Sequence, residues 1–115
     1  MDTNTQIARL SAMLGGPHDG PLLRFGLGNA CLQAGRTAEA IDHFRACLAR
    51  DEGFSAAWRQ LGKALAADGQ AHAALAVYRQ GHQVATDKGD IQAAREMAVF
   101  IRRLEKARAP DAAGD

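Results

Sequence analysis

The stretch WRQLGKAL, residues 58–65, contains the single tryptophan of a 115-residue chain, followed within four positions by Leu61 and Gly62. The flanking residues suit a helix, yet glycine in a helix interior costs about 1 kcal/mol relative to alanine. A helix that keeps a glycine there must gain something from the missing side chain. Trp58, Leu61, Gly62 and Leu65 recur at i, i+3, i+4 and i+7, which is one stripe of a helix surface. The glycine therefore lies on the buried stripe, where a second helix can come close.

The same pattern occurs one period earlier. Gly28 and Gly62, Leu27 and Leu61, Gly35 and Gly69, Ala40 and Ala74, and Phe44 and Tyr78 are all separated by one and the same offset. Such agreement marks an internal repeat whose unit is a helix, a tight glycine turn and a second helix. In one copy Trp58, Leu61 and Gly62 face Ala74 and Tyr78. In the other Leu27, Gly28 and Cys31 face Ala40 and Phe44. On this reading Gly62 admits Ala74 to close range.

Breakers divide the chain into six helical stretches: GGPHDGP (15–21), AGRT (34–37), RDEGFS (50–55), ADGQ (67–70) and DKGD (87–90). Pro21 suits a first helical turn, Ser55 and Asp90 suit N-caps, and Gly35, Gly69 and Gly89 suit helix ends. No stretch alternates like a strand, so the fold class is all-α. With 47% hydrophobic but only 5% aromatic residues, small aliphatic side chains must build the core. A net charge of +1 provides no general attraction to nucleic acid or acidic membranes. Neither a membrane span nor a signal sequence is expected, and the chain reads as cytoplasmic. In that compartment Cys31 and Cys47 read as free, buried thiols.

The repeated residues resemble the tetratricopeptide repeat (TPR) family, whose signature runs W-x2-L-G-x2-Y, then A-x3-F, then P. WRQLGKAL with AALAVY (73–78) follows it closely. RFGLGNAC (24–31) with AEAIDHF (38–44) follows it with Arg24 in place of tryptophan, and Glu52 and Thr86 replace the closing proline. The resemblance implies a right-handed α-solenoid of antiparallel helix pairs, with repeats at 21–54 and 55–88. Ile7, Leu10, Met13 and Leu14 have the phase of Ile41, Phe44, Cys47 and Leu48, so residues 3–14 are expected to form the second helix of an incomplete repeat. Residues 90–108 are expected to form a capping helix with Ile91, Ala94, Ala98, Ile101 and Leu104 facing inward, at the repeat offset or at an offset shorter by one, and 109–115 a frayed tail.

In such solenoids the first helices of successive repeats line a concave peptide-binding groove. Here that surface is assigned to Leu22, Phe25, Asn29, Leu32, Ala56, Arg59, Gln60 and Lys63. An exposed phenylalanine beside two cations suits a peptide with an acidic group or a C-terminal carboxylate. The competing reading is that Arg59 and Lys63 are a solvated face and Phe25 packs on a neighbouring helix. A known subclass clamps the C-terminal carboxylate with lysine at the position of Phe25, asparagine at Asn29 and Gln60, and cations where Asp90 and Ala94 stand (Gly89 and Ala93 at the shorter offset). Only Asn29 matches, so that clamp is not expected.

No catalytic, cofactor or metal site is assigned. His43 and Cys47 are four apart, but no third group orients the histidine, and the other histidines lack zinc-site spacing. The basic run Arg102, Arg103, Lys106 and Arg108 reads as a solvated helix terminus and not as a nucleic-acid contact. Beyond the peptide-binding module, the remaining alternative is a self-associating or scaffold subunit that uses its end helices, with Met13, Met97, Val99 and Phe100 as contacts.

Overall fold

The computed structural model describes the backbone of residues 2–113 and the side chains of residues 2–107. Six helices follow one another: α1 (Thr3–Ser11), α2 (Pro21–Gln33), α3 (Thr37–Arg50), α4 (Ser55–Ala67), α5 (Ala71–Lys88) and α6 (Ile91–Ala113). Sequential helices pack side by side, and α2 touches α4 as α4 touches α6. This stacking elongates the molecule to 51 × 30 × 21 Å with a radius of gyration of 15.2 Å, against about 13 Å for a compact chain of this length. The architecture is an α-solenoid. Among the described residues no helix is long and apolar enough to cross a membrane.

The stripes read from the sequence form the core. Leu27, Gly28, Ala40, Phe44, Trp58, Leu61, Gly62, Ala74 and Tyr78 are all buried, as are the free thiols of Cys31 and Cys47. The glycine contact differs in one respect from expectation. A Cβ placed on Gly62 would meet the ring of Tyr78 at 2.4 Å, and one on Gly28 would meet the ring of Phe44 at 2.4 Å. The aromatic ring one turn after the alanine, and not Ala74 itself, occupies the space that glycine leaves. Pro21 opens α2, Gly35 and Gly69 turn the chain at φ +76° and +80°, and Asp90 Oδ1 accepts from the Ala93 amide at the start of α6. Ser55 is not an N-cap. The Ala57 and Trp58 amides already donate to the Phe54 carbonyl, so Ser55 lies inside α4 with its hydroxyl unpartnered.

The ends depart further from expectation. α1 stops at Ser11, leaving Met13 and Leu14 in the following turn. α6 carries helical backbone to Ala113, through most of the segment expected to fray; residues 114–115 lie outside the described residues, as do the side chains from Arg108 onward. The register of α6 also changes. α4 begins at Ser55, one repeat period after Pro21 opens α2, but α6 begins at Ile91 and not at position 89, where the same period would start it. The cause is α5, which is longer than α3 by more than its following connection is shorter. In consequence Ala93 and Met97 take the buried places of Ala57 and Leu61, and Ile91, expected to face inward, is 63% exposed.

The α1–α2 connection is tied by Asp19, whose carboxylate accepts from Arg24 Nε at 2.9 Å, Arg24 Nη2 at 3.1 Å and the Gly15 amide at 2.9 Å. Chiefly the Arg24 hydrogen bonds, and then the Gly15 amide, lower its carboxyl from the ordinary 3.8 to about 2. A carboxyl whose pKa falls on folding stabilises the fold fully above its ordinary value and loses that effect as pH falls through the folded value. The melting-temperature gap between wild type and Asp19→Asn should therefore close between the ordinary 3.8 and about 2. A gap independent of pH in thermal melts would mean that the ionised carboxyl is not its source.

Candidate functional site

The first helices of the pairs, α2 and α4, together with α6, line one face of the stack. Polar side chains join them across that face. Gln60 Nε2 donates to Asn29 Oδ1 at 2.8 Å, linking α4 to α2, and Arg59 Nη1 donates to Glu96 Oε2 at 2.6 Å, linking α4 to α6. Between α2 and α4 lies a groove of about 510 Å³ lined by Asn29, Leu32, Gln33, Gln60, Lys63 and Ala67. A smaller hollow of about 200 Å³ between α4 and α6 is lined by Ala56, Arg59, Gln92 and Glu96, among others.

Four of the eight residues assigned to the groove (Asn29, Leu32, Gln60 and Lys63) thus meet in one place, and Ala56 and Arg59 meet in the second. Phe25 belongs to neither lining. Its ring lies 4.8 Å from that of Phe54 and 6.0 Å from that of Phe44, so it is a half-buried member of an aromatic cluster and not an exposed ligand contact. Leu22, 74% exposed, stands in solvent on the first turn of α2. The basic middle is also reduced, because Glu96 takes up the charge of Arg59. Lys63 is exposed and has no carboxylate within ion-pair distance among the described residues.

Asn29 and Gln60 each spend one polar atom on the other. The Asn29 amide NH₂ and the Gln60 carbonyl remain, one donor and one acceptor. The carboxylate-clamp geometry is absent: Phe25 is packed, and α6 brings Gln92 and Glu96 toward α4 where cations would be needed.

Sequence reasoning missed Gln33, Ala67 and Glu96. Gln33 and Ala67 were within reach, since they follow Asn29 and Lys63 by one helical turn and are themselves one repeat period apart. Glu96 could be placed only with the true register of α6.

On α3 Cys47 is fully buried and His43 half-buried. Burial, with Asp51 adding, pushes the Cys47 thiol up to about 11, so it stays protonated near neutral pH. His43 is half-buried with Nδ1 unpartnered, and burial lowers its basicity. Among the described residues no group of three or more His, Cys, Asp or Glu side chains is placed to hold a metal ion. At the end of the stack Met97, expected as an exposed contact, is fully buried against Gly81, and Phe100 stacks on Tyr78 at 5.0 Å. Met97 belongs to the core, and Phe100 is half-buried against it.

A family model described as tetratricopeptide repeat matches residues 21–64, which span α2, α3 and most of α4. The TPR repeat-containing protein PA0015 of Pseudomonas aeruginosa is 43% identical over 102 residues, covering 89% of this chain and 97% of that protein. Among solved structures, protein BPP2914 from Bordetella parapertussis is 38% identical, with a TM-score of 0.79 over 90% of each chain. A tetratricopeptide repeat domain protein from Salinibacter ruber shares the fold with a TM-score of 0.72 at 22% identity, over 76% of this chain and 89% of that one.

Proposed function

Because this chain belongs to the tetratricopeptide repeat family, whose members are in general protein–protein interaction modules, we propose that it binds an extended peptide segment in the groove between α2 and α4. The observation that carries this reading is the groove itself: about 510 Å³, open, lined by the apolar Leu32 and Ala67 together with the polar Asn29, Gln33, Gln60 and Lys63. The free amide NH₂ of Asn29 and carbonyl of Gln60 can pair with one peptide unit of the ligand, fixing its register. Lys63, exposed and without an ion-pair partner among the described residues, selects an acidic side chain or a C-terminal carboxylate nearby. Arg59 contributes little to such a ligand while Glu96 holds it.

A peptide library displayed on phage and selected on the purified chain tests this. Selected peptides are expected to carry an acidic residue and to shift the amide resonances of Asn29, Leu32, Gln33, Gln60, Lys63 and Ala67. Lys63→Glu should weaken their binding by about tenfold or more, equivalent to about 1.4 kcal/mol. Arg59→Gln should change it far less. Shifts confined to α6, or affinity indifferent to Lys63→Glu, would overturn the assignment.

A further inference from the structure

The two ends of the stack expose opposite halves of one repeat. In each complete pair a ring from the second helix fills the space left by a glycine on the first, Phe44 against Gly28 and Tyr78 against Gly62. In the register of α6, Ala98 stands where α4 has Gly62, and Ala94 where it has Trp58. Among the described residues no helix covers that face. It lines an open groove of about 280 Å³, where Ile91, Ala94, Arg95 and Ala98 meet the end of α5. α1 is the converse case. Gln6 and Leu10 precede Ala40 and Phe44 by one repeat period, so α1 has the phase of a second helix. The face it would turn to a first helix lines another open groove, about 420 Å³, of Gln6, Arg9, Leu10 and Met13. Among the described residues the large exposed hydrophobics are Met13, Leu22 and Ile91; two of these three lie on the two uncovered faces, one at each end. Solenoid ends that stand free in water are normally polar.

We propose that α1 of one copy docks on α6 of a second copy, assembling at the junction the repeat of which each contributes half. The volumes agree. Leu10 is smaller than the ring of Phe44 or Tyr78, and Ala98 is larger by a methyl group than Gly28 or Gly62, so the pair fills the same space by a different division. The contact is heterologous: each copy keeps one unused face after docking, so assembly continues head to tail unless the rotation closes a ring. One helix pair buries little area, which places the dissociation constant at about 10 μM to 1 mM. The concave groove stays open in such an assembly, and the inference does not depend on what that groove binds.

Sedimentation of the full chain across this concentration range, at constant salt, is the test. The weight-average mass should rise from the single-chain 12.2 kDa to at least roughly double by about 1 mM. Met13→Glu blocks only the α1 face, and Ala98→Arg only the α6 face. Ile91→Glu repeats the second block at a site too exposed to disturb the core. Each variant, with unchanged circular dichroism, should remain monomeric alone, whereas Met13→Glu mixed with either α6 variant should form a dimer and nothing larger. A wild-type chain still monomeric at about 1 mM would overturn the proposal, leaving both faces to another protein. Self-association of Met13→Glu alone would equally overturn it in favour of an α6–α6 contact, and a mixture that fails to associate would refute it directly.

Discussion

Gly62→Ala is expected to destabilise the chain by about 2 kcal/mol, although the same change in an open helix would stabilise it by about 1 kcal/mol. The added methyl carbon would lie 2.4 Å from Tyr78 Cε1 and 2.6 Å from Cζ. The ring has nowhere to go, being 2% exposed and stacked on Phe100 with an interplanar angle of 8°. α4 and α5 must therefore separate, loosening contacts along their whole length. Urea unfolding should show a lower midpoint with an unchanged slope. The decisive comparison places Gly62→Ala in a Tyr78→Leu background, where most of its cost should disappear as a coupling above about 1 kcal/mol. Additive costs would mean that the ring is not the obstacle.

That contact is also why the repeat was legible in the sequence. A close helix–helix approach needs a residue without a side chain on one helix and a ring at a fixed place on the next, so the glycines and aromatics keep strict spacing. The stripes built on them, from Leu27 to Tyr78, appear in the core as read. Detail was lost where position depends on more distant parts of the chain. The breaker DKGD marks the end of α5, but the greater length of α5 sets the register of α6, and a register carried over from the repeat period misses that shift. With α6 misplaced, Glu96 could not be seen opposite Arg59, so the groove appeared to have two available cations where it has one. Phe25 was misassigned for a related reason. Helical spacing places it off the Leu27 stripe, but it packs against Phe54, which lies in the connection between α3 and α4. A first helix in this stack has more than one buried side, and a single-stripe reading sees only one of them.

Trp58→Ala should have the largest effect of any substitution at a signature position, a loss of about 4 kcal/mol from a total stability of about 5–15 kcal/mol. Trp58 is 7% exposed, and its Nε1 donates to the Glu52 carbonyl at 2.8 Å, tying α4 to the connection that precedes it. Its Cβ lies 2.5 Å from where a Cβ on Gly81 would be, and Met97 Sδ reaches the same spot from α6 at 2.7 Å. The indole thus helps to hold α4, α5 and α6 at one point. Trp58→Phe keeps most of the ring area and loses the hydrogen bond to Glu52, whose carbonyl is near solvent, so it should cost about 1 kcal/mol. In a stack where helices contact mainly their neighbours, the damage from Trp58→Ala should also be local. Amide hydrogen exchange should accelerate most in α4, α5 and α6 and least in α1 and α2. Equal acceleration in all helices would instead show that the stack opens as one cooperative unit. In that case the Gly28–Phe44 contact in the first pair would depend on Trp58 although it lies in the neighbouring repeat, and Gly62→Ala should expose the amides of α2 as readily as those of α4.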